Sequence, residues 1–360
     1  MSNMSNYSAT IVSLGGYDYY KKTVKGLQYP IYCRSSSVAG EEVLLDLNGE
    51  EYKKHEFLHI GGYTVSPDHS KVAFSLDVTG AESYEVFVKD IASKSLLAIK
   101  VPIVKSYYSL EWSADSKGIF YDIHDEIKRP YQIHYYDLNT GVNRKIFEEP
   151  DDKFFVSLVK SNSGRFLFIQ ATSSLTREIT VVDAQVGPDG VPKSWVFSPR
   201  QFRHRYSIEH VGNFFYILSN KDGKTNYALY RTGLEKTSVE NWAAVGEYDS
   251  SVSLESLLPF SKFLVLVDRS SSALKRINIF PIKNEDGLID PSSFYRIPFD
   301  ASVYNVMADG EQVFESNILR YAWGSLIHPE KTVDYHMETG KSVIRKQKVR
   351  FRLTDGSNHS

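Results

Sequence analysis

The residues His55-Glu56-Phe57-Leu58-His59 are a literal match to H-E-x-x-H, the pattern that lets two histidines hold zinc while a glutamate activates water. That chemistry requires both histidines on one helical face, one turn apart. Here Ile60-Gly61-Gly62 and a strand-like run follow directly. In extended chain, positions four apart are separated by roughly 13 Å, too far to share one ion. Serine hydrolase chemistry has no local signature either, because Gly324-Ser325 and Gly356-Ser357 do not complete a Gly-x-Ser-x-Gly elbow. His124, His134, His204, His210, His328 and His336 are scattered and read as surface or structural residues. Cys33 is the one cysteine; it lacks a local activating group and reads as a strand residue. Phosphate-binding loops are absent. The chain is therefore assigned no catalytic residue, no metal and no cofactor.

The elements that would position any site repeat with a fixed period. Ser66-Pro-Asp-His-Ser70 hands over to Val72–Leu76, Ser113-Ala-Asp-Ser-Lys-Gly118 to Ile119–Tyr121, and Ser161-Asn-Ser-Gly164 to Phe166–Ile169. Pro67 presets a turn backbone and Asp68 can accept nearby amides. Each run that follows is short, apolar and bounded by turn residues, and so reads as a strand. Equivalent markers begin near Gly16, Val211, Ser261 and Ile318, giving seven units spaced 47–57 residues apart. That period is the mark of propeller blades or helical arrays. Leu234–Ala244 has the length of a short helix, but no long 3.6-residue stripe occurs elsewhere.

Runs such as Phe166–Ile169 and Phe263–Val267 are apolar on both faces, as strands packed between two neighbours must be. The expected fold is all-β: a seven-bladed β-propeller of four-stranded antiparallel blades, with fourth strands such as Leu96–Val101, Ala243–Tyr248 and Phe294–Phe299. Ala9–Leu14 would be the innermost strand of the first blade and Ser342–Arg345 the outermost of the last. The ring would then close mainly by side-chain packing between those two blades.

Composition narrows the function. A net charge of −2 gives no basis for nucleic-acid or membrane binding. One cysteine, an N-terminus without a signal-peptide pattern and the lack of a run of about 20 apolar residues point to a cytoplasmic protein. The most pronounced charge cluster is Glu148-Glu149-Pro150-Asp151-Asp152, either a solvated rim loop or a docking surface. In a four-stranded blade, loops after the second strand open on the same end as linkers between blades. Asp77, Arg129, Glu148, Glu149 and Asp151 are accordingly the candidate docking or gating residues.

Several stretches resemble the propeller of the prolyl oligopeptidase family, and within it the oligopeptidase B branch. They include Tyr17-Asp-Tyr-Tyr-Lys-Lys-Thr-Val-Lys-Gly-Leu-Gln-Tyr-Pro-Ile-Tyr-Cys-Arg34, Gly62-Tyr-Thr-Val-Ser-Pro-Asp68, Arg129-Pro-Tyr-Gln132 and Phe147-Glu-Glu-Pro-Asp-Asp-Lys-Phe-Phe-Val156. The resemblance covers residues 9–349. It implies a propeller seated over an α/β-hydrolase domain, restricting access to short peptides that a Ser-His-Asp triad cleaves after Arg or Lys. Eight residues before Ala9 and eleven after Val349 leave the triad without positions here. The chain is thus expected to be inactive alone, with 1–8 and 350–360 as disordered tails. Its expected partners are the hydrolase domain and short peptides. The alternative is a stand-alone protein- or peptide-binding propeller.

Overall fold

The computed structural model describes residues 11–99, 105–106, 108–308 and 312–347; the expected tails lie outside them. Seven sheets follow one another along the chain, each made of consecutive antiparallel strands paired in sequence order. This is the expected seven-bladed β-propeller. The first sheet uses Val12–Leu14, Tyr17–Lys22, Ile31–Ser36 and Gly40–Asp46. The last uses Tyr304–Met307, Ile318–Ser325, Lys331–His336 and Lys341–Gln347. Among the described residues no strand is shared between two sheets. No helix among them is long and apolar enough to cross a membrane.

The outermost strands depart most from expectation. Blade 2 has three strands, His59–Val65, Lys71–Asp77 and Glu85–Asp90. Of its expected fourth strand, Leu96–Val101, there is a bridge between Lys89 and Leu96 and a 2.7 Å bond from Leu97 N–H to the Val88 carbonyl. Lys100 and Val101 lie outside the described residues. The fourth strands of blades 5 and 6 shrink to Ala243–Ala244 and Tyr295–Arg296. The possible helix at Leu234–Ala244 reduces to a 3₁₀ turn, Val239–Asn241. An outer strand pairs on one side only, so little packing enforces its length, and short edges also resist association.

The chain divides into two compact units, Met1–Arg205 with blades 1–4 and Tyr206–Ser360 with blades 5–7. Within each unit the core lies between neighbouring sheets, because alternate residues of a strand face opposite sides. In blade 2, Val72, Phe74 and Leu76 pack with Leu44, Leu45 and Leu47 of blade 1. Ala73, between them, faces Trp112, Ile119 and Tyr121 of blade 3. Phe120 in turn packs with Val156, Leu158 and Leu167 of blade 4. In the second unit Leu264 and Leu266 of blade 6 pack with Tyr216 and Leu218 of blade 5, whereas Val265 and Val267 pack with Val306 and Leu319 of blade 7. The doubly apolar run Phe263–Val267 read from the sequence is such a doubly covered strand.

The recurring turn has a common mechanism in blades 2, 3 and 4. The hydroxyl of its first serine accepts the amide five residues on: Ser66 from Lys71 at 2.9 Å, Ser113 from Gly118 at 3.0 Å and Ser161 from Phe166 at 3.0 Å. Asp68 also accepts from the Ser66 and Ser70 hydroxyls and the Ser70 amide. Those bonds outweigh the opposing effect of partial burial and hold its carboxyl down to about 2.

Candidate functional site

Strand direction places one set of loops at a common end of the first unit: those following second strands and those linking blades. The loop after Gly118–His124, the second strand of blade 3, is a hairpin built by Asp125. Its amide bonds the Arg129 carbonyl at 2.9 Å, its carboxylate accepts the Ile127 and Arg129 amides, and its Oδ2 meets Arg129 Nε at 2.9 Å. Burial would raise the Asp125 carboxyl, but these contacts prevail and hold it below the usual range.

That hairpin aims Arg129, which is buried, beneath the linker running from blade 3 to blade 4. Its Nη1 donates to the carbonyls of Asp151 at 2.9 Å and Phe154 at 3.2 Å, with a longer contact of 3.5 Å to Glu149. Glu149 is also buried. Its Oε1 accepts the Asp151 amide at 3.0 Å and its Oε2 is paired with Arg200 Nη2. Arg200 belongs to the next linker, reaches Glu178 at 3.3 Å, and lies over the Phe154 ring at 3.7 Å. Two arginines thus tie the successive linkers of blades 3 and 4 into one hydrogen-bonded layer.

The five candidate residues divide accordingly. Arg129, Glu149 and the Asp151 backbone meet in this layer. The Asp151 side chain accepts the Lys153 amide. Glu148 lies on the exposed outer strand Asn143–Glu148 and pairs with Lys145 and Gln132. Asp77 sits apart in blade 2, buried, where its carboxylate accepts the amides of Thr79, Gly80 and Glu82 and so shapes its own loop. Of the acidic run, Glu149 therefore points inward as a brace, and Asp151 joins it through its backbone. Arg200 and Glu178, which complete it, were not singled out in the sequence; they lie 51 and 29 residues from Glu149, with no local pattern joining them.

Sequence reading also missed the apolar side chains at this end. Ile127 is 80 % and Phe202 79 % exposed, accompanied by Phe57, Phe155 and Leu175. Each stands on a loop after a second strand or at a linker between blades. The linker carrying Phe202 is fixed from beneath, since the Arg203 amide donates to Thr176 Oγ1 and the Arg177 amide to the His204 carbonyl.

His59, Cys33, Ser325, His328 and His124 all have structural surroundings. His55–Leu58 is not helical, and His59 begins a strand, with its Nδ1 at 2.9 Å from the Tyr84 hydroxyl. Gly61 lies at a register shift in that strand; a Cβ there would stand 2.8 Å from both the Tyr84 ring and Ser75 Oγ. Burial pushes the Cys33 thiol up to about 11, which suits a strand residue. Two serine–histidine contacts have the reach of a nucleophile and base. Ser325 Oγ lies 2.9 Å from His328 Nδ1, but it also accepts the amides of Ile327 and His328 and so caps their turn. His124 Nε2 lies 3.1 Å from Ser83 Oγ, with its Nδ1 2.7 Å from the Asp125 main-chain carbonyl. In the second pair the nitrogen that would face an orienting carboxylate meets that main-chain carbonyl instead.

Comparison with known proteins adds an independent line. The family model for the N-terminal β-propeller domain of prolyl oligopeptidase matches residues 1–348. Protease 2 of Moraxella lacunata is 30 % identical over 339 residues, covering 92 % of this chain and 47 % of that protein. Dipeptidyl aminopeptidase BI of Pseudoxanthomonas mexicana is 26 % identical, covering 92 % and 46 %. Among solved structures, oligopeptidase B from Leishmania major superposes with a TM-score of 0.84 at 24 % identity, over 93 % of this chain and 48 % of that one. The chain spans about half the length of these curated relatives.

Proposed function

Because this chain belongs to the prolyl oligopeptidase family as its N-terminal β-propeller, we propose that it is the substrate-gating part of an oligopeptidase B-like serine peptidase. The complete enzyme would cleave short peptides after Arg or Lys. Its Ser, His and Asp would come from an α/β-hydrolase domain outside this sequence. The observation that carries the reading is a seven-sheet propeller in a chain that spans about half the length of its relatives. The hydrolase domain would dock on the end of the first unit that bears Ile127, Phe155 and Phe202. In this reading Ile127, Phe155 and Phe202 form a contiguous apolar patch, the kind that marks an interaction surface, and the Arg129–Glu149–Arg200 layer braces the linkers beside it. Asp77, Glu148 and Asp151 belong to the loops and edges of that same end.

The test is complementation. The chain is purified alone and mixed with the separately expressed hydrolase half of the Moraxella relative, and hydrolysis of short Arg, Lys and Gln peptides is followed. The expected result is no triad-dependent cleavage by the chain alone, and a stable complex favouring the Arg and Lys peptides. Phe202→Asp combined with Ile127→Asp is expected to weaken that complex at least tenfold. Cleavage by the chain alone would overturn the reading. Capture of a different, stable partner would favour the stand-alone propeller.

A further inference from the structure

Glu209 stands in Tyr206–Val211, the first strand of blade 5, the strand position nearest the axis of a propeller. Its register partner is Tyr216, so both side chains emerge on the side facing blade 6. There Val211, Tyr216, Leu218 and Leu257 form a buried apolar cluster. The residue keeps part of its surface exposed, but its Oε2 is sealed from solvent and has no hydrogen-bond partner. The polar groups in register with it are already engaged. The Tyr216 hydroxyl donates to the Gly287 carbonyl at 2.7 Å and accepts the Ile289 amide at 3.2 Å. Arg231, next in register beyond Tyr216, lies over the Phe214 ring.

Native structures satisfy nearly all buried polar groups, so an unsatisfied carboxyl in an apolar seam requires a reason. A divalent ion is a poor occupant, because no group of three metal-ligating residues occurs among the described residues. A single carboxyl with one enclosed oxygen suits a single cationic donor. We infer that Glu209 is a recognition point for a basic peptide side chain, guanidinium or ammonium, with its carboxylate as the counter-charge. This rests on the reading of the chain as the gate of a peptidase acting on basic peptides, and it places part of the preference in the propeller itself.

The seam also predicts how binding registers. Burial pushes the Glu209 carboxyl up to about 8, so the free protein holds it protonated at pH 7. A bound cation favours the carboxylate and expels the proton. Arginine-peptide binding at pH 7 should therefore release close to one proton, and at pH 9.5 almost none.

The experiment uses the 360-residue chain and a capped tripeptide, acetyl-Gly-Arg-Gly-amide, against its citrulline counterpart. Calorimetric titrations at pH 7 in phosphate and in Tris give the proton count. The expectation is at least tenfold preference for arginine, with proton release that Glu209→Gln abolishes along with the preference. In the wild type, ¹³C NMR of the glutamate carboxyls should show one high-titrating group whose midpoint falls when the arginine peptide is added. Equal binding of the two peptides, no detectable binding, or an unchanged Glu209→Gln profile would overturn the inference. Failure of complementation alongside arginine-selective binding would reject the peptidase reading and leave the site standing. Successful complementation without that binding would reject the site alone.

Discussion

Two glutamates occupy similar positions and meet opposite fates. Glu149 and Glu209 both lie where neighbouring blades meet within one unit. Glu149 carries Arg200 on one oxygen and the Asp151 amide on the other; Glu209 has an enclosed oxygen with no partner. The first is a brace, and the second is held neutral by its surroundings. A carboxyl in a seam is thus structural or available for a ligand according to what the adjoining linker delivers, and residue type alone does not decide it.

The widest gap between the two should appear on truncation. Glu149→Ala leaves Arg200 with Glu178 alone and frees the Asp151 amide, and should cost about 2–4 kcal/mol. Chemical denaturation at pH 7 measures it, and a cost below about 1 kcal/mol would remove the brace from the comparison. Glu209→Gln should act in the opposite direction. A carboxyl whose folded value is raised stabilises the native state fully below its unfolded value near 4.5, and that contribution is lost as pH rises toward about 8. The variant should match the parent below pH 4 and exceed it by about 2–4 kcal/mol above pH 8. Parallel stability curves across that range would mean Glu209 has a partner in solution.

Smaller effects sharpen the contrast between packing and charge. Gly61→Ala drives a methyl into the Tyr84 ring and Ser75 and should cost about 1–3 kcal/mol, independently of pH; equilibrium denaturation at two pH values separates it from the carboxyl effects. Asp68→Ala removes a turn acceptor whose side chain is 47 % exposed. Discounted for solvent screening, its cost is under about 1 kcal/mol. Because the folded carboxyl lies at about 2, its contribution is present above the unfolded value near 3.8 and lost as pH falls through about 2. Melting curves at pH 7 and pH 2 should therefore differ for the parent more than for the variant.

Most of the fold was legible because its rules are local. Serine-led turns at near-constant spacing announced the blades, and doubly apolar strands such as Phe263–Arg269 announced cover on both faces. The outer strands were less legible. Ala243–Ala244 and Tyr295–Arg296 came out shorter than their apolar runs suggested, since one-sided pairing does not enforce length. The candidate site was legible only in part. Arg129 and Glu149 were visible as charges in the right loops, while the exposed Phe202 looked like any other linker residue.

For H-E-x-x-H, local information was sufficient: Gly61-Gly62 and the run after them argued for a strand, and His59 begins one. The sequence by itself determined that the chain repeats seven times, that its middle strands are covered on both sides, and that it carries no local catalytic elbow. Period, alternation and turn chemistry are short-range and survive without coordinates. Only the tertiary structure decided that Glu149 meets Arg200 from 51 residues away while Glu209 meets no partner for its enclosed oxygen. Pairing of buried charge depends on which linkers and strands converge in space, and burial then converts one carboxyl into a brace and leaves the other neutral.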